Sequence, residues 1–119
     1  MEEFTDKEKK IIGLLSETGL TRNTAKVLVF LSKKGEAVAR DIERAANLRQ
    51  PEVSLIMKEL KDWGWIKEKE IKRQGKGRPL KNYKLAVDLK DRVAELVEKK
   101  RKKIKQVERD LEELKNYVS

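Results

Sequence analysis

The sequence predicts a mainly α fold with one small β-hairpin, an α+β class, closed by a long C-terminal helix. Three observations carry this. Up to Gly64, apolar residues recur at helical spacing in short segments separated by glycine or turn residues. Between residues 65 and 85 the period drops from about 3.6 to 2, on either side of a stretch rich in glycine and basic residues. From Asp88 onward, apolar residues follow alternating three- and four-residue steps without a glycine or proline.

The first helix is predicted over Asp6 to Glu17. Thr5-Asp6-Lys7-Glu8 has the form of a capping box, Ile11, Ile12, Leu14 and Leu15 follow it, and Gly19 ends it. Thr21 is a suitable N-cap for the second helix, which carries Ala25, Leu28, Val29 and Leu31 or Ser32 at helical spacing, thickened by Val27 and Phe30. Lys33 and Lys34 suit its last turn, and Gly35 suits the left-handed residue that ends it. Glu36-Ala37-Val38 is a short extended piece fit for an edge strand. A third helix spans Ala39 to Ala46 with Ile42, Ala45 and Ala46 inward. Asn47-Leu48-Arg49 is a tight connection.

Pro51 belongs in the first turn of a fourth helix, where its missing N–H is not needed. Val53, Ile56, Met57 and Leu60 form that helix's inward stripe, and Gly64 ends it. Residues 65–72 form a strand, Arg73 to Pro79 a loop, and Asn82 to Leu85 the returning strand. Asp88 caps the last helix. The organisation expected is a domain over residues 1–86 and a dimerisation helix over 87–119.

Composition narrows the function. Of 119 residues, 38% are hydrophobic and 43% charged, enough apolar material for one small core. Lys and Arg number 30 against 21 Asp and Glu, for a net charge of +9. The excess lies almost wholly after residue 64, in runs near 72–84 and 99–105. Such a balance points to a polyanionic partner. With no Cys and no His, disulfides, thiol chemistry and most transition-metal sites are excluded. No phosphate-binding glycine pattern or acid–base cluster is visible, so the expectation is a non-enzyme with no catalytic residue, no metal, no cofactor and no evident small-molecule ligand. No membrane-spanning run or signal peptide is visible either, so a cytoplasmic, nucleoid-associated protein is expected.

Two short helices across a three-residue turn, followed at once by a hairpin, describe a winged helix-turn-helix. Particular residues strengthen this. Gln50-Pro51-Glu52-Val53-Ser54, Lys58-Glu59-Leu60 and Gly64-Trp65-Ile66 resemble the recognition-helix signature of the ArsR and MarR groups of regulators. Leu20-Thr21, Ala25-Lys26-Val27, Leu31 and Gly35 are similar to the opening of archaeal TrmB-like DNA-binding domains, and Gly77 to Leu85 looks like the wing of many such regulators. The resemblance covers residues 20–86 and implies binding of double-stranded DNA. The metal-binding Cys and His of the ArsR sensors have no counterpart here. The sugar-binding domain of many TrmB-like proteins is likewise not expected.

The candidate site residues follow. With the inward stripe buried, Gln50, Ser54, Leu55 and Lys58 point outward on the fourth helix, with Arg49 beside them. In the major groove such side chains reach base edges, and an apolar one can meet a thymine methyl. The alternative is an ordinary solvated helix face. In the wing, Lys72, Arg73, Lys76, Arg78, Lys81 and Lys84 occur with no acid among them, as phosphate contacts require; a solvated loop blunting a sheet edge is the alternative. Lys76-Gly77-Arg78-Pro79 is similar to the minor-groove core of AT-hook peptides, which makes Arg78 the main contact expected there. Trp63, Trp65 and Tyr83 are expected in the core at the helix–strand junction rather than stacked on single-stranded bases. The run Lys99 to Lys103 fits flanking DNA or the solvated side of a helix equally well.

In the last helix, Val93, Val97, Ile104, Val107, Leu111, Leu114 and Val118 form a coiled-coil seam broken at Lys100, implying a homodimer. A helix folding back on its own domain is the alternative. The expected function is therefore a sequence-specific, dimeric repressor acting by steric block. An architectural chromatin protein that coats DNA without sequence preference, and a winged helix used for protein contact, are the other readings.

Overall fold

The computed structural model describes residues 4–71 and 80–119. The element order is α1 (Asp6–Glu17), α2 (Arg22–Lys34), β1 (Glu36–Val38), α3 (Ala39–Ala46), α4 (Gln50–Asp62), β2 (Ile66–Ile71), β3 (Leu80–Leu85) and α5 (Leu89–Val118). A mainly α fold with a small antiparallel sheet and a long last helix is thus present.

Local signals fix the helix ends. The Thr5 hydroxyl accepts from the Glu8 N–H at 3.1 Å, and the Glu8 carboxylate accepts from the Thr5 N–H at 2.9 Å. The backbone hydrogen bond from Thr5, foremost, holds the Glu8 carboxyl below its ordinary pKa. Thr21 caps α2 by accepting from the Thr24 N–H at 3.1 Å. Gly35, with φ of 86°, ends it and donates to the Leu31 carbonyl. Asp88 accepts from the Lys90 N–H at the start of α5.

The central helix departs from the one-sided pattern expected of it. Every residue of α2 from Thr24 to Leu31 is buried, because α1, α3 and the sheet enclose it. Lys26 is among them. Its Nζ donates to the Ala46 carbonyl at the end of α3, where the helix dipole favours a cation. Ile12, Leu28, Leu31, Ile42, Leu60, Val27 and Val53 are the largest wholly buried side chains of this core.

The sheet has the order β1-β3-β2, with both pairings antiparallel. Tyr83 on the central strand stands opposite Ala37 on one side and Glu68 on the other. Strand β2 begins at Ile66, after Trp65, and β3 begins at Leu80, before Asn82. The first part of α5 lies on the domain, where Leu89, Val93 and Leu96 meet the core. Beyond it every residue from 98 to the end is exposed.

Candidate nucleic-acid interface

The turn between α3 and α4 sets the aim of the candidate site. Asn47 takes the left-handed conformation at φ of 55°, which its short polar side chain tolerates better than most. Leu48 then donates back to the Glu43 carbonyl at 2.9 Å, closing the end of α3. Arg49 is extended, and its N–H donates to the Glu52 carboxylate at 3.0 Å. Helix α4 starts one residue before Pro51.

The inward stripe Val53, Ile56, Met57 and Leu60 is buried. Arg49, Gln50, Ser54, Leu55 and Lys58 are all exposed. Leu55 is 68% exposed, an apolar side chain held in water on the outer face. Gln50 and Ser54 also line a cleft of about 330 Å³ together with Glu43, Leu80, Lys81 and Tyr83. The first turn of α4 and the base of the wing therefore share one surface. Arg49, Leu55 and Lys58 do not line that cleft. Of the expected wing residues, Lys72, Arg73, Lys76 and Arg78 lie outside the described residues; Lys81 and Lys84 are exposed on β3.

One organising residue escaped sequence reasoning. The Glu68 carboxylate on β2 receives Lys61 from the end of α4 at 3.4 Å and stands 3.9 Å from Lys81 on β3. It also faces Tyr83 across the strands. Burial raises the Tyr83 phenol above its ordinary pKa, and the charge and hydrogen bond of Glu68 add to the effect. Glu68 thus joins α4 to both strands of the hairpin. Its signal lay in the strand register, which one sequence does not display.

The aromatic trio needs a correction. Tyr83 is buried and Trp65 half-buried, but Trp63 is 44% exposed and stands outside the core. It forms the C-cap of α4, where the last turn points its indole outward against the edge of Trp65, with ring centres 5.4 Å apart.

The seam residues divide in two. Val93 and Val97 are half-buried and line a narrow cleft with Ile11, Leu14 and Leu15 of α1. Ile104, Val107, Leu111, Leu114 and Val118 are exposed. The helix thus packs on its own domain as far as Val97 and leaves it beyond, and the chain extends over 74 Å.

A helix-turn-helix with a solvent-facing second helix beside a basic hairpin defines the winged helix-turn-helix class of DNA-binding proteins. Residues 15–90 match the family model described as sugar-specific transcriptional regulator TrmB, and the chain belongs to that family. By family it is a DNA-binding regulator of transcription. No curated protein matches the chain. Similar solved structures include a possible transcriptional regulator from Methanosarcina mazei, with a TM-score of 0.58, 13% identity and coverage of 82% of this chain and 83% of that one. NadR in complex with 4-hydroxyphenylacetate gives a TM-score of 0.55 at 18% identity, over 92% of this chain and 79% of that one. Disulfide-formed AbfR gives 0.52 at 19% identity, over 92% and 82%. At these identities the likeness concerns the fold. Among the described residues no helix is long and apolar enough to cross a membrane.

Proposed function

We propose that the chain is a sequence-specific repressor that binds double-stranded DNA as a homodimer. Residues 1–86 form the reading domain and residues 87–119 the dimerisation helix. Arg49, Gln50, Ser54, Leu55 and Lys58 enter the major groove. Arg73, Lys76, Arg78 and Lys81 of the wing meet the adjacent minor groove or its phosphates. The observation that carries this reading is the outer face of α4, where Leu55 is exposed opposite a buried stripe and Gln50 and Ser54 share a cleft with Lys81. An exposed leucine beside groups suited to base edges favours a contact surface slightly over a merely solvated face.

The dimer follows from the exposed row Ile104, Val107, Leu111, Leu114 and Val118. With Val97, Ile104, Leu111 and Val118 at one core position, Val93, Lys100, Val107 and Leu114 take the other. In a parallel pair, Lys103 would face Glu108 of the second copy and Asp110 would face Lys115. Two reading domains about 34 Å apart would then address a palindrome on one face of the duplex, and occupancy would block transcription. The test is selection of bound sequences from random duplex DNA at physiological salt. The expected result is one palindromic site preferred by about 10³ or more over random DNA. Uniform binding of all sequences would favour an architectural, DNA-coating protein instead.

A further inference from the structure

We propose that α5 pairs antiparallel with α5 of a second copy, so that the C-terminal tip of each chain lies on the winged domain of the other. This rests on the dimer reading above and adds to it a direction, a register and the surface that receives the tip.

The seam itself separates the two directions. In a parallel pair each core position faces its own counterpart, which sets Lys100 against Lys100 in an otherwise apolar row. Two ammonium groups held together there repel one another and lose hydration. In an antiparallel pair the two kinds of core position face each other instead. One register then matches every seam residue: Val93 with Val118, Val97 with Leu114, Lys100 with Leu111, and Ile104 with Val107. Lys100 meets a leucine, along which its stem lies while its ammonium reaches toward Asp110 of the second copy. Beside the seam, Lys103 faces Asp110 and Arg101 faces Glu108, each pair occurring twice. A parallel pair has as many opposite charges, Lys103 with Glu108 and Asp110 with Lys115, so the core decides and not the flanks.

The domain supplies a second observation. Val93, Leu96 and Val97 are half-buried, yet an open cleft lies on either side of this strip. Ile11 and Leu14 border one cleft and are 39% and 56% exposed; Trp63 borders the other. Together these groups make a contiguous apolar surface of the kind that marks an interface. In the antiparallel register the tip of the second copy crosses it. Leu114 and Val118 lie over Val97 and Val93, and Tyr117, 79% exposed in the single chain, falls opposite Leu96. In a parallel pair Leu96 would face Arg101, and the tips would stand about 30 Å beyond the domains. The antiparallel pair has its two-fold axis between residues 105 and 106, and it keeps the symmetry that a palindromic site requires.

The chain has no cysteine, so an introduced thiol can be read without interference. Val97→Cys and Leu114→Cys are prepared as separate full-length chains and treated with a short bismaleimide, each alone and then after the two are refolded together. Only the mixture should cross-link. The two copies of Val97 lie 17 residues of helix apart, about 26 Å, whereas Val97 and Leu114 are neighbours. Cross-linking of either chain with itself would overturn the antiparallel pair and leave the dimer reading standing. A mixture that does not cross-link would overturn it too, and sedimentation equilibrium on the same samples then separates a dimer joined elsewhere from a monomer, which would sink the dimer reading as well. Exchange of charges gives an independent check on exposed positions. Lys103→Glu alone, or Asp110→Lys alone, should weaken the dimer roughly tenfold, because each turns two attractive pairs repulsive. The two changes together should restore it to within about threefold, since opposite charges again face each other. In a parallel pair the double change would set like charges against Glu108 and Lys115. A double variant weaker than either single one would therefore overturn the direction.

Discussion

Replacing Ile104 and Leu111 with aspartate should turn a dimer into a monomer while leaving the winged domain intact. Ile104 is 49% exposed and Leu111 60%, and both lie beyond the part of α5 that meets the core. Complete burial of an aliphatic side chain is worth about 1.5–3 kcal/mol, so pairing the exposed half gains about 0.75–1.5 kcal/mol per residue. Two positions in each of two copies give roughly 3–6 kcal/mol, or about 10²–10⁴ in the association constant. Aspartates in the seam add a desolvation cost. Sedimentation equilibrium at micromolar concentration should show the unaltered chain as a dimer and the double variant as a monomer. The near-ultraviolet tryptophan signal should persist, since Trp63 and Trp65 sit on the domain. A monomeric unaltered chain, or a dimer indifferent to the two aspartates, would refute the seam.

Gln50→Ala or Lys58→Ala should each weaken the preferred site by about 1–3 kcal/mol and weaken random DNA less. Equal losses on both, measured by competition at fixed salt, would make them phosphate contacts. Arg78→Ala should cost more affinity on A·T-rich than on G·C-rich flanks, because a narrow A·T minor groove concentrates negative potential. The raised Tyr83 phenol means that the folded state holds this proton more tightly than the unfolded chain. That contribution to stability is complete below the ordinary tyrosine pKa of about 10 and is lost as pH rises through the folded value. The denaturation midpoint should accordingly fall in the alkaline range, Tyr83→Phe should remove the late phase of an ultraviolet titration, and Glu68→Gln should move that phase to lower pH.

The elements were legible where their signals are local. Thr5 with Glu8, Thr21 with Thr24, and Asp88 with Lys90 each act within a few residues, so the helix starts can be read directly from the sequence. The buried stripe of α4 is equally local, and with it the exposure of Gln50, Ser54, Leu55 and Lys58. What the sequence did not display depends on distant neighbours. Enclosure of α2 on all sides requires α1, α3 and the sheet to be in place. The meeting of Lys61, Lys81 and Tyr83 at Glu68 requires the β2–β3 register. Trp63 illustrates the limit from the other direction. An indole next to a buried stripe is expected inward, yet the last turn of α4 carries it past the core and into solvent.

The contrast between α2 and α4 bears on how such a chain can change over time. Along residues 24–31 no position of α2 faces water, so a substitution there disturbs several neighbours at once. The outer face of α4 is the reverse case. Gln50, Ser54, Leu55 and Lys58 contribute little to the core, and exposed replacements of this kind usually shift stability by no more than about 0.5 kcal/mol. Variation can accumulate on that face without being screened by folding. In descendants of this chain, the interior of α2 should drift slowly, while the outer face of α4 is free to change on an unchanged scaffold.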